Sequence, residues 1–181
     1  MRSVIGAIVG LAIGAAMLWW PYAWCRHKGE AEKDWGLAWY MGPGAWRDVV
    51  LALALTLIPL TFVSLHWPVE WGGPGPRHPS FLRALDSLGG GVAAAFIEET
   101  FFRGWLQTLT VRRFGPWLGI FLATLCFALS HLIVLTGWLR VATFFPGLVM
   151  AILRHRHGSV LPAIIYHAVC NVWAVWWAPI P

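Results

Sequence analysis

Six apolar runs follow one another along this chain of 181 residues, at about 4–24, 48–67, 88–109, 117–136, 138–153 and 159–178. A helix needs roughly 17–25 apolar residues to cross a bilayer. All but the fifth run reach that length, and the fifth is also broken by Pro146 and Gly147. Apolar residues make up 59% of the chain and charged residues 12%. A soluble domain carries about twice that charge fraction, and the mean hydropathy is +0.65. Too few polar side chains exist to cover a surface in water. The expected fold is all-α: a polytopic transmembrane bundle of about six helices, with residues 1–181 forming a single integral membrane domain. Pro59 is expected to kink the second helix.

The segments between the runs fit this reading. The first run follows Arg2 and ends in Trp19, Trp20, Tyr22 and Trp24 without a small-residue cleavage site. It therefore reads as a retained span rather than a signal peptide. Residues 26–48 carry charges and then a Trp/Gly/Pro stretch expected at the membrane interface, and 68–80 is a Pro/Gly loop with no helical option. Residues 110–116 and 154–158 read as short basic loops. Many of the 14 Trp sit beside charges or prolines, among them Trp24, Trp67, Trp71, Trp173, Trp176 and Trp177 before Pro179. That is the placement of interfacial aromatic belts.

The net charge of +5 is scattered and forms no stripe with stacking aromatics, so a nucleic-acid partner is not expected. With six spans, loops one, three and five share a side. They hold Arg26, Lys28, Lys33, Arg47, Arg112, Arg113, Arg154 and Arg156, against Arg2, Arg77, Arg83 and Arg140 on the other side. The excess assigns the first side to the cytoplasm. Cys25, Cys126 and Cys170 form no disulfide framework, and the last two, inside apolar runs, read as small core residues.

Of the eight acidic residues, Glu98 and Glu99 alone lie in the middle of an apolar run. An ionisable group at bilayer depth costs a few kcal/mol and faces a bundle interior or a cavity. Glu99 and Arg103 are spaced to meet on one helix face, while Glu98 points about 100° away. Its partners must then come from other helices. His131 lies in the fourth run with Phe127 one turn earlier, and His167 and Asn171 form an i,i+4 pair in the sixth. At 1.5 Å per residue, Glu98 lies roughly 15 Å and His131 roughly 8 Å from the side of loops two and four. His167 and Asn171 lie roughly 12–18 Å from the opposite side. All four can share a layer, so the site is expected on the third, fourth and sixth spans and open toward loops two and four.

Glu98-Glu99-x-x-x-Arg103, Phe127-x-x-x-His131 and His167-x-x-x-Asn171 together resemble the three-motif signature of the CPBP family, the CAAX-prenyl-type endopeptidases with their bacterial Abi-type members. The resemblance covers about 89–178, a catalytic core preceded by two additional spans within 1–67. It implies a glutamic intramembrane protease. Glu98 and His131 would activate water, His167 and Asn171 would stabilise the oxyanion, and Glu99 and Arg103 would orient the site. Deprotonation by a positioned carboxylate and donation by amide and imidazole N–H groups are chemistry suited to peptide hydrolysis.

Three other readings use the same residues. A zinc metalloendopeptidase would take Glu98, His131 and His167 as ligands, although the chain has no HExxH motif; the expectation is that no cofactor is required. An exosortase-like enzyme would use Cys126 or Cys170 with a histidine and Arg103. A transporter or bacteriocin-immunity-type protein would use the buried Glu and His for ion handling. The expected partners are membrane lipid and a membrane-associated protein or peptide, including one with a C-terminal sorting tail. The expected location is a bacterial inner membrane.

Overall fold

The structure is a computed structural model and describes residues 2–66, 79–134 and 138–177. Most of the Pro/Gly loop of 68–80 lies outside those residues, as do Trp67, Trp71, Arg77 and Pro179 from the reading above. The described residues form helices joined by short connections, with no strand. α1 (Arg2–Lys28) and α2 (Ala45–His66) come first. α3 (Phe81–Glu99) runs through a π-helical segment, Thr100–Leu106, into α4 (Gln107–Phe114). α5 (Pro116–Val134), α6 (Phe144–His157) and α7 (Leu161–Trp177) complete the bundle.

Since α3 to α4 is one uninterrupted rod, the described residues form six rods, as the runs implied. α1 and α2 are long and apolar enough to cross a membrane, and α5 and α7 are shorter apolar helices. Their outward faces are hydrophobic: Leu11, Leu55, Ile58 and Trp117 are among the exposed side chains. In a bilayer such a surface meets lipid tails and needs no polar cover.

Several boundaries differ from the sequence reading. The third run was expected at 88–109, yet its helix extends from Phe81 to Phe114. Nothing stops it before Gly115, whose φ of 82° ends α4. Pro116 then opens α5 at its first position, where a missing N–H costs nothing. Residues 110–114 are thus helix rather than loop. In the fifth run, Pro146 and Gly147 do not interrupt a span. A 3₁₀ turn over Trp138–Thr143 leads into α6, and Pro146 sits in the first helical turn, where proline is tolerated. Arg154 to His157, read as loop, continue α6 until Gly158 ends it with φ 65°. α2 continues through Pro59 as helix.

The connection between α1 and α2 packs part of its length into the bundle. Trp35, Gly36 and Leu37 are buried and lie along the α4 end of the rod. The Thr108 hydroxyl is 3.1 Å from the Trp35 carbonyl, and Leu37 fills the space where Gly104 has no side chain. Trp24 packs against Trp35 and Trp105, with ring centroids 6.3 and 5.8 Å away. The cysteine reading also changes: Cys126 is exposed, Cys170 is half-buried, and only Cys25 is fully buried.

Two features place the site. The first is a ladder between the rod and α6. Arg103 Nη2 donates to the Gly147 carbonyl (3.0 Å), Gln107 Nε2 to the Ala151 carbonyl (2.9 Å), and Arg154 Nη2 to Thr108 Oγ1 (2.5 Å). Small residues at 147 and 151 let the two backbones approach, as in membrane helix pairs generally. The second is a divergence. α3 packs on α7 and α1, whereas α5 packs on α4 and α6; among the described residues α3 and α5 hardly meet. The α4–α5 hairpin is closed at the end of loops one, three and five and splayed toward loops two and four.

Candidate active site

The π-helical turn forms the floor of the splayed region. Gln107 N–H bonds to the Phe102 carbonyl five residues earlier, which marks the wider turn. Such turns are rare and recur at functional sites. The neighbouring carboxylates Glu98 and Glu99, at the end of α3, face different surroundings. Glu99 is completely buried, whereas the Glu98 side chain keeps 27% of its surface exposed.

Glu99 is held from both sides. Its Oε2 is 3.2 Å from Arg103 Nε, and its Oε1 accepts from His167 Nδ1 at 2.8 Å. The expected i,i+4 ion pair is therefore present, together with a third member from α7. Since Nδ1 carries the proton shared with Glu99, Nε2 is the ring nitrogen left for chemistry. It lies 3.9 Å from Glu98 Oε2, a buried oxygen without a hydrogen-bond partner. The histidine thus bridges the two carboxylates, one atom committed to orientation and one aimed at Glu98.

His131 is oriented in a similar way. Its Nδ1 lies 2.9 Å from the Phe127 carbonyl, so the opposite ring nitrogen is the one without that bond. Phe127 is central to the arrangement, with centroids 4.7 Å from His131 and 6.0 Å from His167. The Arg103 guanidinium lies over its ring at 4.0 Å, a cation–π contact strengthened by burial. Asn171 is turned toward α3: its Nδ2 donates to the Gly91 carbonyl at 2.9 Å. That bond uses one of the two amide protons.

Thus Glu98, Glu99, Arg103, His131 and His167 converge, and Asn171 borders them through Gly91. Among the described residues no three His, Cys, Asp or Glu side chains are grouped to hold a metal ion. His167 Nδ1 and His131 Nδ1 are engaged by Glu99 and the Phe127 carbonyl, which leaves Nε2 of each ring outside those bonds, and His167 Nε2 stands 3.9 Å from Glu98 Oε2. Cys126 is exposed, and Cys170 packs beside the apolar core around Tyr166.

Sequence reasoning missed Gly147, Gly91 and the π turn. A Cβ at Gly147 would lie 2.9 Å from Phe127 Cδ1 and 3.2 Å from Arg103 Nη2. One at Gly91 would lie 3.0 Å from Asn171 Cβ. A glycine inside an apolar helix signals a close approach, but nothing in its spacing says to what.

Neither a search of curated proteins nor one of solved structures finds a match to the chain. A family model described as type II CAAX prenyl endopeptidase Rce1-like matches residues 79–173. This stretch, more than half of the chain, begins just before α3 and ends within α7, and so contains every residue of the cluster. The chain belongs to the Rce1-like family of type II CAAX prenyl endopeptidases, membrane-embedded peptide hydrolases.

Proposed function

We propose that the chain is a glutamic intramembrane endopeptidase in which Glu98 is the base. The observation that carries this reading is the division of labour between adjacent carboxylates. Glu99 is ion-paired to Arg103 and hydrogen-bonded to His167, while Glu98 Oε2 has no hydrogen-bond partner, stands 3.9 Å from His167 Nε2, and belongs to a side chain that retains exposure. Only the latter can take a proton from a substrate water.

Water held between Glu98 and His131 loses a proton to Glu98 as its oxygen adds to the scissile carbonyl. The developing oxyanion accepts hydrogen bonds from His167, when Nε2 carries a proton, and from the second Asn171 amide proton. Each such donor is worth about 10²–10³ in rate. Glu98 then returns the proton to the departing amine, which completes hydrolysis without a metal in any step. Glu99 and Arg103 hold the His167 ring in register.

The substrate is a membrane-associated polypeptide, and the family description makes a prenylated CAAX end one of the classes to test. The divergence of α3 and α5 supports entry from the side of loops two and four. The basic excess on the opposite side supports an extracytoplasmic opening in a bacterial inner membrane.

The test uses purified protein in liposomes and membrane-anchored peptides with and without a prenylated cysteine near the C-terminus. The parent should cleave at least one series, and Glu98→Gln should lose cleavage while keeping its melting temperature. A Glu98→Gln protein that cleaves at the parent rate would sink the assignment.

A further inference from the structure

Away from the site, α2 and α6 leave an open groove of about 270 Å³ on the outer surface. Leu51, Ala52 and Leu55 line one wall, and Val149, Ile152 and Leu153 line the other. Its end toward loops one and five is polar. There Asp48 Oδ1 accepts from Arg47 Nε and Nη2 at 3.2 and 3.1 Å, and Oδ2 accepts from Arg156 Nε at 2.9 Å and His157 Nε2 at 3.1 Å.

One carboxylate therefore holds two guanidiniums together, which leaves a net positive charge. Both are largely exposed, Arg47 at 67% and Arg156 at 62%. Apart from the bonds to Asp48, their remaining N–H groups have no protein partner among the described residues. Guanidinium N–H groups match phosphate oxygens in geometry and charge. An apolar furrow that ends in paired guanidiniums has the polarity of one lipid: chain below, anionic phosphate above. It also lies at the end of the bundle that holds most of the Lys and Arg, where headgroups sit.

We propose that this groove binds an anionic phospholipid, one acyl chain lying between α2 and α6 and the phosphate on Arg47 and Arg156. Asp48 orients the two arginines instead of binding the lipid. The groove uses none of the residues of the catalytic cluster, so the inference stands apart from the proteolytic reading.

The experiment compares melting temperatures in nanodiscs of phosphatidylcholine alone and of phosphatidylcholine with phosphatidylglycerol. A ligand that binds only the folded state raises its stability, and the anionic lipid should raise the melting temperature by about 2–4 °C for a chain of this size. Arg47→Gln with Arg156→Gln should lose that increment. Ala52→Phe, which fills the furrow and keeps the charges, should lose it as well. Each protein's own melting temperature in phosphatidylcholine shows whether it is folded. An equal melting temperature of the parent in both membranes overturns the proposal. So does an increment retained by either variant, which would indicate diffuse attraction or headgroup binding without a seated chain.

Discussion

The two ends of the bundle are built on opposite principles. At the end of loops one, three and five, polar groups cross-link everything. Val160 N–H donates to the Gly36 carbonyl (2.9 Å), Ser159 Oγ to the Ala38 carbonyl (2.6 Å), and Arg112 Nη1 reaches Glu30 (2.5 Å). At the other end α3 and α5 diverge, and α3 exposes Phe81, Leu82 and Leu85. The candidate cluster lies where the closed half becomes the open half. The closed half holds Glu99, Arg103 and His167 together, and on the proposed reading the splayed half gives Glu98 room for water and substrate. The two halves should accordingly respond differently to mutation: stability should fall most in the closed half and turnover most at the junction.

The sharpest break in that comparison lies at the buried pair. Glu99→Ala or Arg103→Ala leaves a buried charge without its partner, at a cost of about 3–5 kcal/mol. Chemical denaturation should show the double variant to be more stable than either single one. A double variant less stable than both would mean that the two groups do not act as a pair.

Next in size is Gly147→Ala. The new methyl collides with Phe127 and Arg103, and overpacking of this kind costs about 1–3 kcal/mol. Because Phe127 carries both histidines, turnover should fall more than the loss of folded protein explains. Thermal unfolding measured beside kcat on the same preparation separates the two effects.

Gly36→Ala probes the closed end alone. Gly36 has φ 68°, and a side chain there would strike the Arg154 guanidinium. Alanine at a positive φ should cost more than about 1 kcal/mol, with kcat per folded molecule unchanged. A kcat loss matching that of Gly147→Ala would show that the ends are not separable.

The smallest effect concerns pH. Hydrogen bonding to Arg112 holds the Glu30 carboxyl below the usual carboxylate range. A depressed folded-state value means that this contact stabilises the protein above the ordinary glutamate range and is lost as pH falls through the depressed value. Arg112→Gln should remove that acid-side component of a stability–pH curve, and the effect should shrink in high salt because the pair is exposed.

The residues of the cluster were legible before any fold was known, for a simple physical reason. Charged groups inside apolar runs cannot be left in lipid, so Glu98, Glu99, Arg103, His131 and His167 had to meet partners, and helical periodicity already paired Glu99 with Arg103. The number of rods and the sharing of one end by loops one, three and five followed from run lengths and alternation. What stayed hidden depended on contacts distant in sequence. Local spacing could not show that His167 gives Nδ1 to Glu99 and turns Nε2 toward Glu98, since that choice rests on how α7 packs against α3. Nor could it show the insertion of Trp35 to Leu37 along the rod, because a Trp/Gly/Pro stretch is equally suited to an interface. Gly147 looked like a helix interruption until Phe127 and Arg103 occupied the space beside it. The π turn left no mark in composition. Apolar patterning reports which residues must leave water or lipid, whereas the identity of each buried partner is set by packing between helices that the chain itself separates.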